Sequence, residues 1–215
     1  MKKYMPSKKE GRIKKLCLHK GEEHLKKADK TMAAILDRHG PCSLTARTDY
    51  FKVLCESIIS QQLSVKAADT IFGRFCDLFD GGSPEPLKLL SLSDDEIRRA
   101  GISKQKAVYL KDLANKVQSG EISPDEFQKM EDEDIIRVLT TVKGIGRWTA
   151  EMFLIFALNR SDVLPTDDLG LKKAVQHQYR LKELPESCRI KEIAARWHPY
   201  ATLATWYLWK SIGNK

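Results

Sequence analysis

Two glycines separated by one apolar residue lie between two segments of helical periodicity. Gly144, Ile145 and Gly146 follow an apolar helix and precede a second one. Glycine tolerates positive φ and lets the backbone approach a ligand closely. The free N–H groups and the positive dipole end of the second helix then form a site for an anion such as phosphate. A tight turn that binds nothing has the same glycine pattern, so the glycines alone do not decide between the two.

Two adjacent carboxylates and four tryptophans are further side chains that could take part in a reaction. Asp167 and Asp168 lie at the start of a predicted helix, where an aspartate either caps the helix or acts on a ligand. A carboxylate held in a site stabilises positive charge that develops during a reaction. The tryptophans lie at positions 148, 197, 206 and 209, and their electron-rich faces attract cations. These residue types suit a reaction in which positive charge is present or develops.

Four segments of the chain carry a specific resemblance. They are residues 58–68, 139–150, 164–172 and 196–209, with the sequences IISQQLSVKAA, LTTVKGIGRWTA, LPTDDLGLK and RWHPYATLATWYLW. In this order they resemble the helix-hairpin-helix (HhH-GPD) DNA glycosylase superfamily, which contains endonuclease III and 3-methyladenine DNA glycosylase II. The last segment is similar to the C-terminus of the 3-methyladenine branch. The resemblance covers roughly residues 22–215 and implies the compact form of the family, without an additional N-terminal sheet domain.

The resemblance implies a monofunctional enzyme of base excision repair. Such an enzyme flips alkylated purines, such as 3-methyladenine and 7-methylguanine, out of double-stranded DNA and hydrolyses the glycosidic bond to leave an abasic site. Asp168 maps to the family's catalytic aspartate, which stabilises an oxocarbenium-like state, whereas Asp167 is interpreted as a helix cap. Purines alkylated at N3 or N7 are already cationic, so they leave without a general acid.

Aromatic residues late in the chain are expected to bind the flipped base. The predicted base pocket consists of Trp148, Trp209, Trp206 and Met152. Core packing is the alternative for each tryptophan, and it is the preferred interpretation for Trp197. It is also preferred for Tyr50 and Phe51, which are further candidates for the pocket.

The resemblance also predicts contacts with DNA. Gln62 is the closest match to the wedge that fills the vacated base stack, and Leu63 is the second choice; a polar helix end is the alternative. The predicted DNA-binding residues are Gln62, Leu63, Ser64, Lys143, Gly144, Ile145, Gly146, Arg147 and Thr149, with Lys172 as a further candidate. An ordinary solvated charge is the alternative for the basic residues. The backbone carbonyls of Thr140, Val142 and Ile145 are predicted to hold a structural sodium or potassium ion, and catalysis needs no cofactor.

Two departures from sister families narrow the prediction. Trp148 stands where bifunctional relatives carry a lysine nucleophile, which predicts that β-lyase activity is absent. The five cysteines, at positions 17, 42, 55, 76 and 188, form no CxxC pair. Their spacing argues against an iron–sulfur cluster, a zinc site or a disulfide framework. Reduced, mostly buried thiols in an intracellular compartment are expected: the nucleus of a eukaryote, or the cytoplasm and nucleoid of a prokaryote.

Apolar periodicity predicts the elements that position these residues. The expected helices cover residues 22–39, 50–63, 64–79, 93–100, 104–119, 132–141, 148–158, 168–178, 190–195 and 201–212, with a short turn or helix from Ser123. The predicted fold is all-α and two-lobed, with the active site between the lobes. One lobe is formed by the termini and the other by about residues 65–165, after a basic arm at residues 1–21.

Charge and hydropathy set the remaining expectations. The net charge is +8, and residues 1–30 hold 11 basic and 4 acidic residues, so the basic character is concentrated in the arm. No apolar run approaches the ~20 residues that cross a membrane, and a monomer is expected. Two alternatives stay open: a non-catalytic helix-hairpin-helix module that binds DNA, and a monofunctional glycosylase for another lesion.

Overall fold

The computed structural model describes residues 17–213, which form an all-α fold. Its α-helices are α1 Leu18–Ala28, α2 Lys30–His39, α3 Tyr50–Ser60, α4 Val65–Cys76, α5 Pro86–Ser91, α6 Asp94–Arg99, α7 Lys104–Gln118, α8 Asp132–Leu139, α9 Arg147–Phe156, α10 Leu169–Gln178, α11 Ser187–Ala194 and α12 Ala201–Gly213. Short 3-10 helices lie at Asp80–Gly82 and Pro124–Lys129. Residues 17–213 contain no β-strand, which confirms the predicted fold class. None of these helices is long and apolar enough to span a membrane.

Eleven of the twelve α-helices described form two groups that share one continuous apolar core, which also includes buried residues of α11. The first group contains α1, α2, α10 and α12, and the second contains α3 to α9, in which α3 contacts α4, α7 and α9. The second group therefore begins at Tyr50, whereas the sequence places its beginning at about residue 65. The physical reason is that α3 is apolar around most of its circumference, with six of its 11 residues buried.

The first predicted helix is divided in two. Residues 22–39 were expected to be one helix, but Asp29 is extended, with φ −146° and ψ 113°, and separates α1 from α2. Its Oδ1 accepts hydrogen bonds from the backbone N–H groups of Thr31 and Met32. Apolar periodicity did not reveal the break because a one-residue cap barely disturbs the spacing. Of the predicted arm, Cys17 is the N-cap of α1 and residues 18–21 belong to that helix, whereas residues 1–16 lie outside the described residues.

The buried carboxylate of Asp29 also ties α2 to the C-terminal helices. Its Oδ2 accepts a hydrogen bond from Tyr179 Oη at 2.6 Å and one from Trp197 Nε1 at 3.2 Å. Trp197 is fully buried, which confirms its interpretation as a core residue. The two oxygens of this carboxylate therefore accept four hydrogen bonds, which offset the free-energy cost of burying its charge.

Local sequence signals explain the short helices α5 and α6 of the second group. The predicted capping box at α6 is present, since Ser93 Oγ accepts the Glu96 N–H and the Glu96 carboxylate accepts the Ser93 N–H. Helix α5 was not predicted. Its available signal was Pro86 at the first helical position.

The cysteines of the described residues are free thiols. Cys42 and Cys55 are buried, whereas Cys17 and Cys188 are exposed, so the prediction of mostly buried thiols holds only in part. Burial raises the pKa of the Cys42 thiol to about 11 and holds the pKa of Cys55 well above its ordinary value. Both buried groups are therefore protonated and unreactive at neutral pH.

Candidate active site

Asp168 caps α10 and ends the loop that follows α9. Its Oδ1 accepts the backbone N–H of Leu171 at 2.6 Å. The interpretation of Asp167 as the cap is wrong, because the helix begins one residue later than predicted. Asp167 Oδ1 instead accepts a hydrogen bond from Ser187 Oγ at 2.9 Å and lies 3.7 Å from Lys172 Nζ.

Two tryptophan side chains hold the Asp168 carboxylate through their indole edges. Trp148 Nε1, on the first turn of α9, donates to Oδ2 at 2.8 Å. Trp209 Nε1, on α12, donates to Oδ1 at 2.7 Å. With the Leu171 N–H, the carboxylate accepts three hydrogen bonds from three helices, so its position and orientation are fixed. Helices of both groups meet here, which places Asp168 between the lobes.

Phe156 joins the site, although it was not among the residues predicted for it. Its ring stacks on Trp209 with a centroid separation of 5.8 Å and an interplanar angle of 17°, and 40% of its surface is exposed. Trp148, Met152 and Phe156 recur every four residues along α9, so they share a face. That periodicity was the signal that was available for finding Phe156.

Gly170 is a second residue of the site that sequence reasoning missed. A Cβ at this position would lie 3.0 Å from Asp168 Oδ1, 3.2 Å from Trp209 Cδ1 and 3.3 Å from Trp209 Nε1. These distances are shorter than ordinary van der Waals contacts. The absence of a side chain therefore lets Trp209 approach the aspartate closely.

A cavity of ≈ 200 Å³ opens beside the same face of α9. Met152 and Phe156 line it, whereas Asp168 and the tryptophans do not, so the role of Met152 in a base pocket stays a prediction. Phe153, also on α9, contributes to its wall. The rest comes from α3, α4 and the segment before α3: Arg47, Val53, Glu56, Ser57, Ser60, Ala68, Asp69 and Phe72. Its wall is mixed, with apolar rings and methyl groups on one side and the Arg47–Glu56 ion pair, at 2.6 Å, on another.

The other predicted aromatic residues lie elsewhere. Trp206 makes an edge-on contact with Tyr207, and Lys210 Nζ lies 5.6 Å from its ring centroid. Among residues 17–213 it forms no hydrogen bond with Asp168. Phe51 is buried, and the Tyr50 ring packs against Phe153, so core packing describes this pair, as preferred from sequence.

The hairpin between α8 and α9 has the predicted geometry. Gly144 has φ 81°, and a Cβ there would lie 2.1 Å from Tyr109 Cδ2, so both the backbone and the close approach require glycine. Ile145 is 4% exposed and anchors the hairpin in the core. Gly146 is the N-cap of α9 and offers no side-chain acceptor. The first-turn N–H groups of α9 therefore lack an intrahelical partner and are available to an anion.

The hairpin side chains differ in their availability to DNA. Lys143 is exposed, and its backbone N–H donates to Asp112 Oδ2 at 2.9 Å. The Arg147 guanidinium turns back onto Glu133, with Nη2 at 2.5 Å from Oε1, and onto Glu151. Thr149 is only 8% exposed, so its side chain is not available and only its backbone N–H remains as a donor. Of the hairpin side chains predicted to contact DNA, Lys143 is therefore available as it stands. Arg147 becomes available only when its ion pairs with Glu133 and Glu151 break.

The three carbonyl groups predicted to hold a monovalent cation have free acceptor capacity. The Val142 carbonyl accepts the Ile145 N–H at 3.1 Å, which leaves one lone pair. The carbonyls of Thr140 and Ile145 accept no hydrogen bond from the residues that the structure describes. Hard oxygen donors of this kind suit an alkali-metal cation, so the donor set fits the predicted ion.

The turn at residues 61–64 joins α3 to α4 and projects from the second group of helices. Gln62 is exposed and has φ 58°, a left-handed conformation that is uncommon outside glycine. Leu63 is exposed, and Ser64 Oγ caps α4 by accepting the Ala67 N–H at 3.4 Å. Val65, which was not predicted, is 78% exposed. The turn and the first residue of α4 therefore present two polar and two apolar side chains to solvent: Gln62, Ser64, Leu63 and Val65.

A segment that makes up more than half of the chain matches a known family. The match is to the HhH-GPD superfamily base excision DNA repair protein, over residues 55–199. The protein belongs to the HhH-GPD superfamily. The matched segment of this HhH-GPD protein includes the projecting turn, the hairpin and Asp168, whereas Trp209 lies beyond it.

Relatives with similar length support the assignment to the HhH-GPD superfamily. DNA-3-methyladenine glycosylase 1 of Schizosaccharomyces pombe is 35% identical over 90% of this chain and 87% of its own. The solved structure of the 3-methyladenine DNA glycosylase of that yeast in complex with abasic DNA has a TM-score of 0.79 and covers 89% of this chain and 96% of its own. A DNA-3-methyladenine glycosidase from Bacillus halodurans has a TM-score of 0.82 at 35% identity, with 90% and 89% covered.

Proposed function

We propose that this protein is a monofunctional DNA glycosylase that removes alkylated purines, 3-methyladenine and 7-methylguanine, from double-stranded DNA by hydrolysis. The observation that carries the proposal is the Asp168 carboxylate, held by Trp148 Nε1, Trp209 Nε1 and the Leu171 N–H at 2.6–2.8 Å. A module that only binds DNA has no use for a carboxylate that two lobes hold in one orientation. Relatives with the names given above support the same reaction.

The reaction separates charge in a way that one carboxylate can assist. When the bond between the sugar C1′ and the purine N9 breaks, its electron pair goes to the base and neutralises the positive charge of an N3- or N7-alkylated ring. The sugar becomes an oxocarbenium ion, which the negative charge of Asp168 stabilises. A water oxygen then bonds to C1′ and loses its proton to Asp168 or to solvent. The products are a neutral free base and an abasic site.

The aromatic surface beside Asp168 suits a cationic base. Trp209 and Phe156 form a stacked wall, and Trp148 is 48% exposed at the first turn of α9. A cationic ring over such faces gains an attraction of about 0.5–2 kcal/mol that an unmodified purine lacks. The wall therefore favours the alkylated bases over normal ones before any bond breaks.

The hairpin and the projecting turn supply the contacts with DNA. The free N–H groups at the start of α9 bind a phosphate without reading sequence, and Lys143 adds charge. The backbone carbonyls of Thr140, Val142 and Ile145 would hold a monovalent cation, which would supply positive charge near that phosphate and would take no part in bond cleavage. Gln62 enters the stack at the vacated base, with Leu63 next to it.

Several properties follow from the same proposal. Trp148 carries an indole instead of an amine, so no Schiff base forms at that position and no β-lyase activity accompanies base release. The enzyme acts as a monomer, without a cofactor or an iron–sulfur cluster. Its substrate places it with the genome, in the nucleus of a eukaryote or in the cytoplasm and nucleoid of a prokaryote.

The first experiment compares the protein with its Asp168→Asn variant on DNA treated with dimethyl sulfate. The asparagine keeps the size of the side chain and an oxygen for the helix cap, but it removes the negative charge. We expect the wild type to release 3-methyladenine and 7-methylguanine, measured by chromatography, and the variant to release neither while it still binds DNA. Release by both proteins, or by neither while DNA binding is intact, contradicts the proposal.

A further inference from the structure

The projecting turn at residues 61–64 is held from two sides. Lys106 Nζ, on α7, donates to the carbonyls of Ile59 and Gln61, each at 2.7 Å. Gln61 Nε2 donates to the Gly144 carbonyl at 2.8 Å, across 83 positions of sequence. The ammonium thus satisfies carbonyls at the end of α3, where the helix dipole favours a cation, and the amide bridges the turn to the hairpin.

The same helix contacts the hairpin directly. The Tyr109 ring occupies the space where a Cβ of Gly144 would lie, at 2.1 Å from Cδ2. Asp112 Oδ2 accepts the backbone N–H of Lys143 at 2.9 Å. We call Lys106, Tyr109 and Asp112 the α7 stripe, because a spacing of three residues places them on one face of the helix. One rigid helix therefore contacts both segments that the proposed function places on DNA.

We infer that Lys106 and Gln61 are positioning residues that set the wedge turn at a fixed distance and orientation from the phosphate-binding hairpin. This inference rests on the proposed function, since it assigns the two segments to a wedge and a phosphate site. A hairpin anchored on a phosphate fixes α7, and α7 through Lys106 fixes where Gln62 enters the base stack. Gln62 has a left-handed φ of 58°, and such a conformation persists only where its surroundings impose it.

Burial makes Lys106 suited to this role. Its side chain is half-buried, and burial lowers the pKa of its ammonium group. A partly desolvated ammonium with two carbonyl acceptors is held more tightly than a solvated lysine. Lys111, on the same helix, pairs instead with Asp94 at 2.5 Å and contacts neither segment. It provides a matched control.

The test uses substrates that differ only in how much stacking must be broken. Single-turnover release of 7-methylguanine is measured with the base paired to cytosine and with the base opposite an abasic analogue, for wild type, Lys106→Met, Gln61→Leu and Lys111→Met. We expect Lys106→Met and Gln61→Leu to slow release from the paired duplex by about tenfold or more, because a displaced wedge no longer enters the base stack in the correct position. Release from the unpaired site should slow much less. Lys106→Arg restores part of the rate, and Lys111→Met behaves as wild type. Equal losses on both substrates, or none, overturn the inference.

A second readout does not depend on base release. The fluorescence of 2-aminopurine next to a tetrahydrofuran abasic analogue reports unstacking when the wedge enters a duplex. We expect wild type and Asp168→Asn to raise it, and Lys106→Met to raise it much less at saturating protein. If wild type raises the fluorescence and Lys106→Met does not, but wild type releases no base, the proposed reaction fails while the positioning role stands. If Lys106→Met raises the fluorescence as much as wild type does, the positioning role alone is rejected.

Discussion

The indole N–H of Trp148 donates to Oδ2 of Asp168 at 2.8 Å, which joins the first turn of α9 to the N-cap of α10. Trp148 lies in the first turn of the helix whose free N–H groups face a phosphate in the proposed complex. The residue that holds the carboxylate is thus two positions after Gly146, the last glycine of the hairpin. In the proposed complex, one turn of helix therefore couples phosphate binding to the orientation of the carboxylate.

The first prediction removes that hydrogen bond and keeps an aromatic face. We expect Trp148→Phe to lower kcat by roughly 10–100-fold, because a hydrogen bond to a charged group contributes about 1.5–3 kcal/mol. Binding of abasic-analogue DNA should change little, since the backbone N–H groups of α9 are untouched. Trp206→Phe is the control, because its ring contacts Tyr207 and not Asp168. A kcat for Trp148→Phe equal to that of the control would show that the bond is irrelevant to the reaction.

The second prediction separates stability from activity at Gly170. In Gly170→Ala the new methyl group crowds Asp168 Oδ1 and Trp209 Cδ1, at 3.0 and 3.2 Å, so one of them must move and kcat falls. The substitution also removes the backbone entropy cost of a helical glycine, up to about 1 kcal/mol, so the free energy of unfolding should drop little or not at all. Both are measured on one preparation, by base release and urea unfolding.

The matched control for that substitution lies on α4. A methyl group added at Gly73 would meet no atom within 4 Å, and the backbone there lacks positive φ. We expect Gly73→Ala to raise the free energy of unfolding by about 0.5–1 kcal/mol and to leave kcat unchanged. If both alanine variants keep full activity, the close approach at Gly170 does not matter for the reaction.

The third prediction concerns the two carboxylates that share Arg147. Burial raises the pKa of Glu151, whereas the hydrogen bond from Arg147 lowers the pKa of Glu133. A raised carboxyl pKa means that the folded state binds a proton more readily, so Glu151 contributes less stability as the pH rises from the ordinary glutamate pKa through its folded pKa. A lowered pKa has the opposite sign: the stability from Glu133 is present above the ordinary pKa and is lost as the pH falls through its folded value.

Urea unfolding from pH 3 to pH 7 tests both signs. The stability of Glu151→Gln relative to wild type should improve as the pH rises through the window above the ordinary glutamate pKa. The stability of Glu133→Gln relative to wild type should worsen as the pH rises through the window below it. Parallel pH profiles for the two variants would contradict the assignment of opposite shifts.

Local patterns predicted the elements that depend on neighbouring residues. The capping box at Ser93, the buried Ile145 and the tight turn at Gly144 were all readable, because caps, apolar period and turn glycines act within a few residues. The break at Asp29 was missed, since two helices in near-continuous register have almost the same apolar spacing as one. Asp168 was singled out by resemblance, but its role as the helix cap was assigned to its neighbour.

The sequence by itself determined the all-α class, the hairpin and the family, because each rests on patterns that are complete within short segments of the chain. Only the tertiary structure decided how the tryptophans are used, since Trp148 and Trp209 are 61 positions apart and meet at opposite oxygens of Asp168. The same holds for Phe156 stacked on Trp209, and for Lys106 and Gln61 between the turn and the hairpin. Directional contacts between distant segments depend on how helices dock, and no periodicity along one helix encodes the side chain that another helix brings to it.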